Sequence, residues 1–140
     1  MAGNRTQKAT KRQFIVSIAG IPGNWRTMSG ASASSETTED WDGGAERPDI
    51  LGGPVSFDDI EVVRTIAPAL DMDWVRRLRR RVGIDTFTVT KQAVDRDGVK
   101  VGRPDVYPDC LLKGMQEPET DAASSDLAEI TLTFATSGPA

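Results

Sequence analysis

The 140-residue chain has no histidine and a single cysteine, Cys110. Without histidine it lacks the usual general base at neutral pH and the usual nitrogen ligand for zinc. One cysteine excludes an internal disulfide and any metal site made of cysteines alone. Ser-His-Asp triads and Cys-His dyads are impossible within the chain. Positive charge is also short: 17 Lys and Arg face 21 Asp and Glu, a net charge of -4. General nucleic-acid binding draws on net positive surface, so this balance argues against it. Long apolar runs are missing as well. The longest, around Phe14–Ile21, is far below the ~20 residues a membrane helix needs. The basic N-terminal stretch with Arg5, Lys8, Lys11 and Arg12 has no apolar segment behind it long enough for a signal peptide. The expectation is a protein made in the cytoplasm, with no membrane insertion.

What remains is an ordinary globular composition, 38% hydrophobic and 27% charged. The length suits one domain, able to bury roughly two thirds of the surface its unfolded chain would expose. Residues 1–12 read as a flexible arm and 13–140 as the domain. Phe14, Val16 and Ile18 begin a β-rich segment, ended by turn chemistry at Gly20-Ile21-Pro22-Gly23. Trp25–Ser29 follows as a short strand.

Gly30–Pro54 has no clear secondary structure, and a connection this long is uncommon inside a compact domain. It is polar but carries Trp41, Ile50 and Leu51. Two readings stand: apolar anchors that dock on a partner, or a hairpin folded back on its own domain. Val55–Arg64 returns to strand character, with Asp58-Asp59 as a bulge or register change.

One helix is clear. Trp74, Leu78 and Val82 recur at helical spacing beside Val75, with Asp71 or Asp73 as N-cap and Gly83 as the stop. Arginines 76, 77, 79, 80 and 81 fill the rest of the wheel. Strand patterns resume at Thr86–Val94, with Phe87 and Val89. Asp95–Gly98 turns into Val99–Val101. Val106–Met115 follows, where Pro108 suggests an edge or a late start. The last strand holds Ile130, Leu132 and Phe134. Six or seven strands with one helix make an antiparallel sandwich or barrel. Its expected core is Phe14, Val16, Ile18, Val62, Trp74, Leu78, Phe87, Val89, Ile130, Leu132 and Phe134.

No catalytic residue, metal site or cofactor is expected. Asp58 and Asp59 point to opposite faces of an extended strand. The acidic stretch Glu36, Glu39, Asp40, Asp42 lacks calcium-loop spacing. The glycine clusters lack the partners of a phosphate loop, and Cys110 reads as a small core residue. The arginine run is the strongest nucleic-acid feature, but no aromatic stacking residues interleave it. Ion pairing with acidic loops, in this subunit or another, is the favoured reading; a small nucleic-acid-binding virion or regulatory protein is the alternative.

The order of these features resembles the phage tail tube proteins. The shared series is Phe14-Ile15-Val16, Ile21-Pro22-Gly23 and Trp25, Met28-Ser29-Gly30, a long loop with Asp42-Gly43-Gly44 and Pro48, and Ile60/Val62-x-Arg64. It continues through the helix with Trp74, the Asp97-Gly98 hairpin, and Ala122-Ala123-Ser124-Ser125-Asp126 before Ile130–Phe134. That family includes the inner-tube proteins of contractile tails and the ring protein of type VI secretion.

The resemblance implies a mainly β fold: two packed antiparallel sheets, one flanking helix and a long inter-strand loop. It also implies hexameric rings stacked into a tube, the conduit for DNA ejection in a virion tail. Partners would be other copies of the chain, the tape measure protein, the tail terminator and the distal tail or baseplate proteins. Genomic DNA would pass through without specific binding, which an acidic lumen favours. By the same match, residues 30–54 reach the neighbouring ring, and the arm and the Glu117–Asp126 loop lie at subunit contacts. Candidate contact residues are Trp41, Asp42, Ile50, Leu51, Arg76, Arg77, Arg80, Arg81, Glu117 and Glu119. The arginine run and the Ser/Ala-rich loop start depart from the contractile pattern, a lean towards a noncontractile tail.

Overall fold

A computed structural model describes residues 13–41, 43–44, 46–118 and 127–140. The expected arm, Asp42, Glu119 and most of the Glu117–Asp126 loop lie outside the described residues. The fold is mainly β and antiparallel, with one helix. The described residues form nine strands: β1 Phe14–Ile18, β2 Ile21–Trp25, β3 Thr27–Gly30, β4 Ala33–Asp40, β5 Asp49–Phe57, β6 Ile60–Thr65, β7 Thr86–Ala93, β8 Asp105–Gln116 and β9 Glu129–Ala135. Helix α1 spans Pro68–Arg79.

Seven strands form one sheet in the order β2-β1-β7-β8-β9-β6-β3, and β4 and β5 form a separate pair. The two ends of the large sheet, β2 and β3, are separated in sequence by Arg26 alone. The sheet must therefore curl until its ends approach, although no hydrogen-bonded ladder closes it into a barrel. The two packed layers expected from sequence are the two halves of this folded sheet. Between them lies one core, to which β1, β2, β6, β7, β8, β9 and α1 all contribute. Alternation explains the strands best where one face is buried: in β9, Ile130, Leu132 and Phe134 point inward, and in β6, Ile60, Val62 and Arg64 do.

Several local expectations need correction. The first turn occupies Ala19-Gly20, and Ile21-Pro22-Gly23 already belongs to β2. Pro22 is tolerated there because β2 is an end strand of the sheet. Asp58-Asp59 is no bulge but the break between β5 and β6, strands of different sheets. The helix starts earlier than expected: Ala67 is the N-cap and Pro68 opens the first turn, where its missing N–H costs nothing. Asp71 lies inside the helix, and its Oδ2 accepts the Ala67 N–H at 2.7 Å. The helix ends at Arg79 with Arg80 as C-cap, so Gly83 is not its stop. Instead Gly83 lies in the following turn and donates its N–H to Leu112 O.

Pro108 does not mark an edge. β8 lies between β7 and β9, and the extra residue at Pro108-Asp109 forms a bulge opposite Thr88. Val99–Val101 contributes only an isolated bridge between Val94 and Lys100. Phe14, expected in the core, is 40% exposed, with the Lys91 ammonium over its ring. Phe87 is half-buried and meets Phe134 edge-on at 5.9 Å. Ile21, Trp25, Ile60, Val75, Tyr107, Cys110 and Leu112 complete the buried set.

Candidate functional site

Gly30–Pro54, read as a loop, is largely a β-hairpin. β4 and β5 pair from Ala33–Phe57 to Asp40–Asp49, with a bulge at Gly53-Pro54 opposite Glu36. Every residue of β4 is exposed, and in β5 only Phe57 is partly covered. The hairpin is thus the structure one reading expected, but it does not fold back on its own domain. Its root is fixed. Asp58 N–H donates to Ser32 O at 3.1 Å, and a Cβ on Gly30 would lie 1.8 Å from Asp59 O. Gly30 also has φ +92°, so only glycine fits this approach.

Trp41, Ile50, Leu51 and Val55 are all more than half exposed along this hairpin. Ile50 shares a face with Glu39, while Leu51 lies on the other face, which also carries the directly opposed Asp40 and Asp49. A two-stranded ribbon standing alone in water is marginally stable, so this one gains from being covered.

Helix α1 presents the second surface. Asp71, Trp74, Val75 and Leu78 face inward, leaving Arg76, Arg77, Arg79, Arg80 and Arg81 exposed. Two of these are engaged. Arg79 donates to Glu117 Oε1 through Nε at 3.0 Å and also through Nη2. Arg81 lies 3.6 Å from Asp85. Among the described residues Arg76, Arg77 and Arg80 form no ion pair. Of the sequence-predicted contacts, the structure brings Glu117 to the helix, and it keeps Trp41, Ile50 and Leu51 together on the hairpin.

What aims this helix was not expected from sequence. Arg64, on an inward position of β6, lies between Trp25 and Trp74, its guanidinium carbon 5.3 and 4.9 Å from their ring centroids. Arg64 Nη2 donates to Asp71 Oδ1 at 2.5 Å, and Nη1 donates to Pro22 O at 2.5 Å. Asp71 Oδ1 also accepts the Trp74 indole N–H at 2.9 Å, and the two tryptophan rings meet edge-on at 6.0 Å. Burial pushes the Asp71 carboxyl up. The Ala67 and Trp74 hydrogen bonds and the Arg64 charge outweigh it, holding Asp71 below the usual carboxylate value. The available signal was the run Ile60-x-Val62-x-Arg64, which places a cation where a third apolar residue belongs.

The remaining chemistry is sparse. Burial pushes the Cys110 thiol up, and its Sγ lies 3.2 Å from Tyr107 O, so it stays protonated and unreactive. Burial, with Asp105 and Cys110 nearby, likewise raises Tyr107. Asp59 pairs with Lys113 at 2.7 Å at the surface, leaving no carboxylate dyad with Asp58. Among the described residues no group of three or more acidic or sulfur ligands is arranged for a metal. Among the described residues no helix is long and apolar enough to cross a membrane. A shallow groove of about 190 Å³ beside α1 is lined by Ile21, Trp74, Arg77, Leu78, Arg81 and Asp85, with no nucleophile in it.

Solved structures share this architecture. A chain of the sheath/tube terminator of an extracellular contractile injection system (PVC) in the extended state matches with TM-score 0.76 and 19% identity, covering 96% of both chains. The chain shares its fold with a component of that assembly. A chain from the sheath-tube complex of the PVC system matches with TM-score 0.75 and 20% identity, over 95% of this chain and 90% of that one. The tube-terminating cap of the anti-feeding prophage gives TM-score 0.75 and 16% identity, over 100% and 97%. No protein-family model and no curated protein matches the sequence. The likeness therefore lies in the fold, at low sequence identity.

Proposed function

We propose that the chain is a structural subunit that assembles with copies of itself into stacked rings, forming a tube. The observation that carries this is the match in fold along nearly the whole of both chains to components of tube assemblies. The exposed hairpin and arginine helix supply surfaces for it. A ring follows when one surface patch meets a different patch on the next copy and the rotation closes. Six copies per ring, and terminator, tape measure and baseplate partners, are what the tail-tube resemblance implies. The same holds for a virion tail conducting DNA. A net charge of -4 fits a bore that does not hold phosphates. The similar folds come from contractile systems, so the arginine run is no argument against a sheath.

The role needs no catalysis, in keeping with a chain that has no histidine. The nucleic-acid alternative is weakened because Arg79 and Arg81 are engaged by Glu117 and Asp85. Negative-stain electron microscopy of the purified protein tests the proposal. Hollow tubes or six-membered rings are expected. A strictly monomeric protein at high concentration, with its tail partners present, overturns it.

A further inference from the structure

The hairpin and the helix carry opposite, uncompensated charge. Residues 33–57 hold six carboxylates (Glu36, Glu39, Asp40, Asp42, Glu46, Asp49) against Arg47 alone. Among the described residues, no ion pair joins this hairpin to α1 or to any other element. The sharpest feature is the Asp40–Asp49 pair. These residues are direct cross-strand partners, which places their Cβ atoms roughly 5 Å apart on one face. Like charges so placed destabilise a hairpin, and no cation of the described chain neutralises them.

Arg76 and Arg80 have the complementary spacing. They are four residues apart and both exposed, Arg76 in the last turn of α1 and Arg80 at its C-cap with near-helical backbone angles, so their Cβ atoms lie roughly 6 Å apart. Two guanidinium groups at that separation match two carboxylates at the other, each arginine offering a planar fork to one carboxylate. Apolar groups flank the charges on both sides. Leu51 shares the Asp40–Asp49 face and Trp41 follows Asp40, while Leu70 and Ile84 stand 78% and 66% exposed at either end of the helical segment. Surface ion pairs alone contribute little, about 0–1 kcal/mol each, but apolar cover that excludes water strengthens them.

We propose that the Asp40–Asp49 face of the hairpin docks on the Arg76–Arg80 face of α1 in a second copy of this chain. This specifies which patches meet, and it rests on the self-assembly reading above. A contact between two different patches uses the hairpin of one copy and the helix of the next, so the pair still presents one free helix and one free hairpin and the contact propagates. The guanidinium groups also relieve the carboxylate repulsion that the isolated hairpin must tolerate.

The test is charge exchange, read by sedimentation velocity and electron microscopy as a function of protein concentration. Arg76→Glu with Arg80→Glu, and separately Asp40→Arg with Asp49→Arg, should each raise the concentration needed for assembly by about tenfold or more. All four substitutions in one chain should restore it, because opposite charges face each other again. All sites are exposed, and circular dichroism verifies the fold. Should a reversal misfold, Arg76→Gln with Arg80→Gln and Asp40→Asn with Asp49→Asn provide the same comparison by neutralisation. If the wild type assembles and these variants assemble equally well, the docking is wrong while the tube reading stands. If the fourfold variant stays monomeric, the pairing is wrong. A wild type that never self-associates overturns both. Salt-sensitive binding of duplex DNA that is lost on Arg76→Glu/Arg80→Glu, with assembly unchanged, assigns the helix to nucleic acid and overturns the docking.

Discussion

Arg64 stands where the pattern of β6 calls for an apolar side chain, after Ile60 and Val62, and it survives burial because its environment is built around it. Two tryptophan faces, one carboxylate and one carbonyl surround the guanidinium. Gly23 makes room, since a Cβ there would come within 2.7 Å of Arg64 Nη1. Removing one member of a buried ion pair costs far more than the pair contributes, because the other charge is left unpaired. Arg64→Ala should therefore lower the unfolding free energy by about 3–5 kcal/mol in urea titrations. Acid should act on the same cluster. Because folding lowers the Asp71 value, its stabilisation is whole above the unfolded carboxylate range near pH ~4 and is lost as pH falls through the lowered folded value. Asp71→Asn should reduce stability at pH 7 and flatten that acid dependence, measured as urea midpoint against pH.

At the scale of elements, the hairpin and the domain should separate cleanly. Ala33 and Phe57 are cross-strand partners, so an Asn-Gly turn joining them can replace residues 34–56 without straining the root. The shortened protein should unfold cooperatively within about 1 kcal/mol of the parent, because the removed side chains are exposed and lie outside the core. Assembly should be abolished. Loss of the fold would instead show that the hairpin supports the domain. The same exposure explains why the sequence did not reveal it. Strand periodicity reports one buried face, as in β1, β6 and β9; with both faces in water the composition of β4 and β5 is free, and only turn residues and exposed Ile50 and Leu51 remain as signals. Phe14 misled for the complementary reason. It keeps the β1 alternation but sits at the strand end, beyond the layer that covers Val16 and Ile18. Pro108 misled because a bulge, visible only in the pairing with β7, accommodates it in a central strand.

For the molecule as a whole, the curled sheet is joined at β9. On one side lie β8, β7, β1 and β2, and on the other β6 and β3. Near the bend between β2 and β3, Arg26 Nη1 reaches Glu129 Oε1 at 2.8 Å, at the start of β9. Ending the chain at residue 128 removes Ile130, Leu132 and Phe134 from the core and leaves one edge of β8 and one edge of β6 unpaired. That variant should show no cooperative unfolding and should aggregate through the exposed edges, as seen by calorimetry and light scattering. The absent histidine already pointed away from catalysis, and the resemblance pointed to a tube. The Asp40–Asp49 pair was not legible, because these two residues become neighbours only through strand pairing, whereas the proximity of Arg76 and Arg80 follows from helical spacing alone.

The place of β9 bears on how such a protein is made. The strand that unites the two halves is translated after every other strand described. Until the ribosome has passed residue 135, a nascent chain holds two incomplete half-sheets and an unsealed interior. The hairpin, emitted some eighty residues earlier, then hangs from a body that has not formed, and α1 has no finished wall to pack on. On such a chain the acidic and basic faces come into fixed relation only once β9 has joined the two halves, and products shortened before β9 lack that geometry.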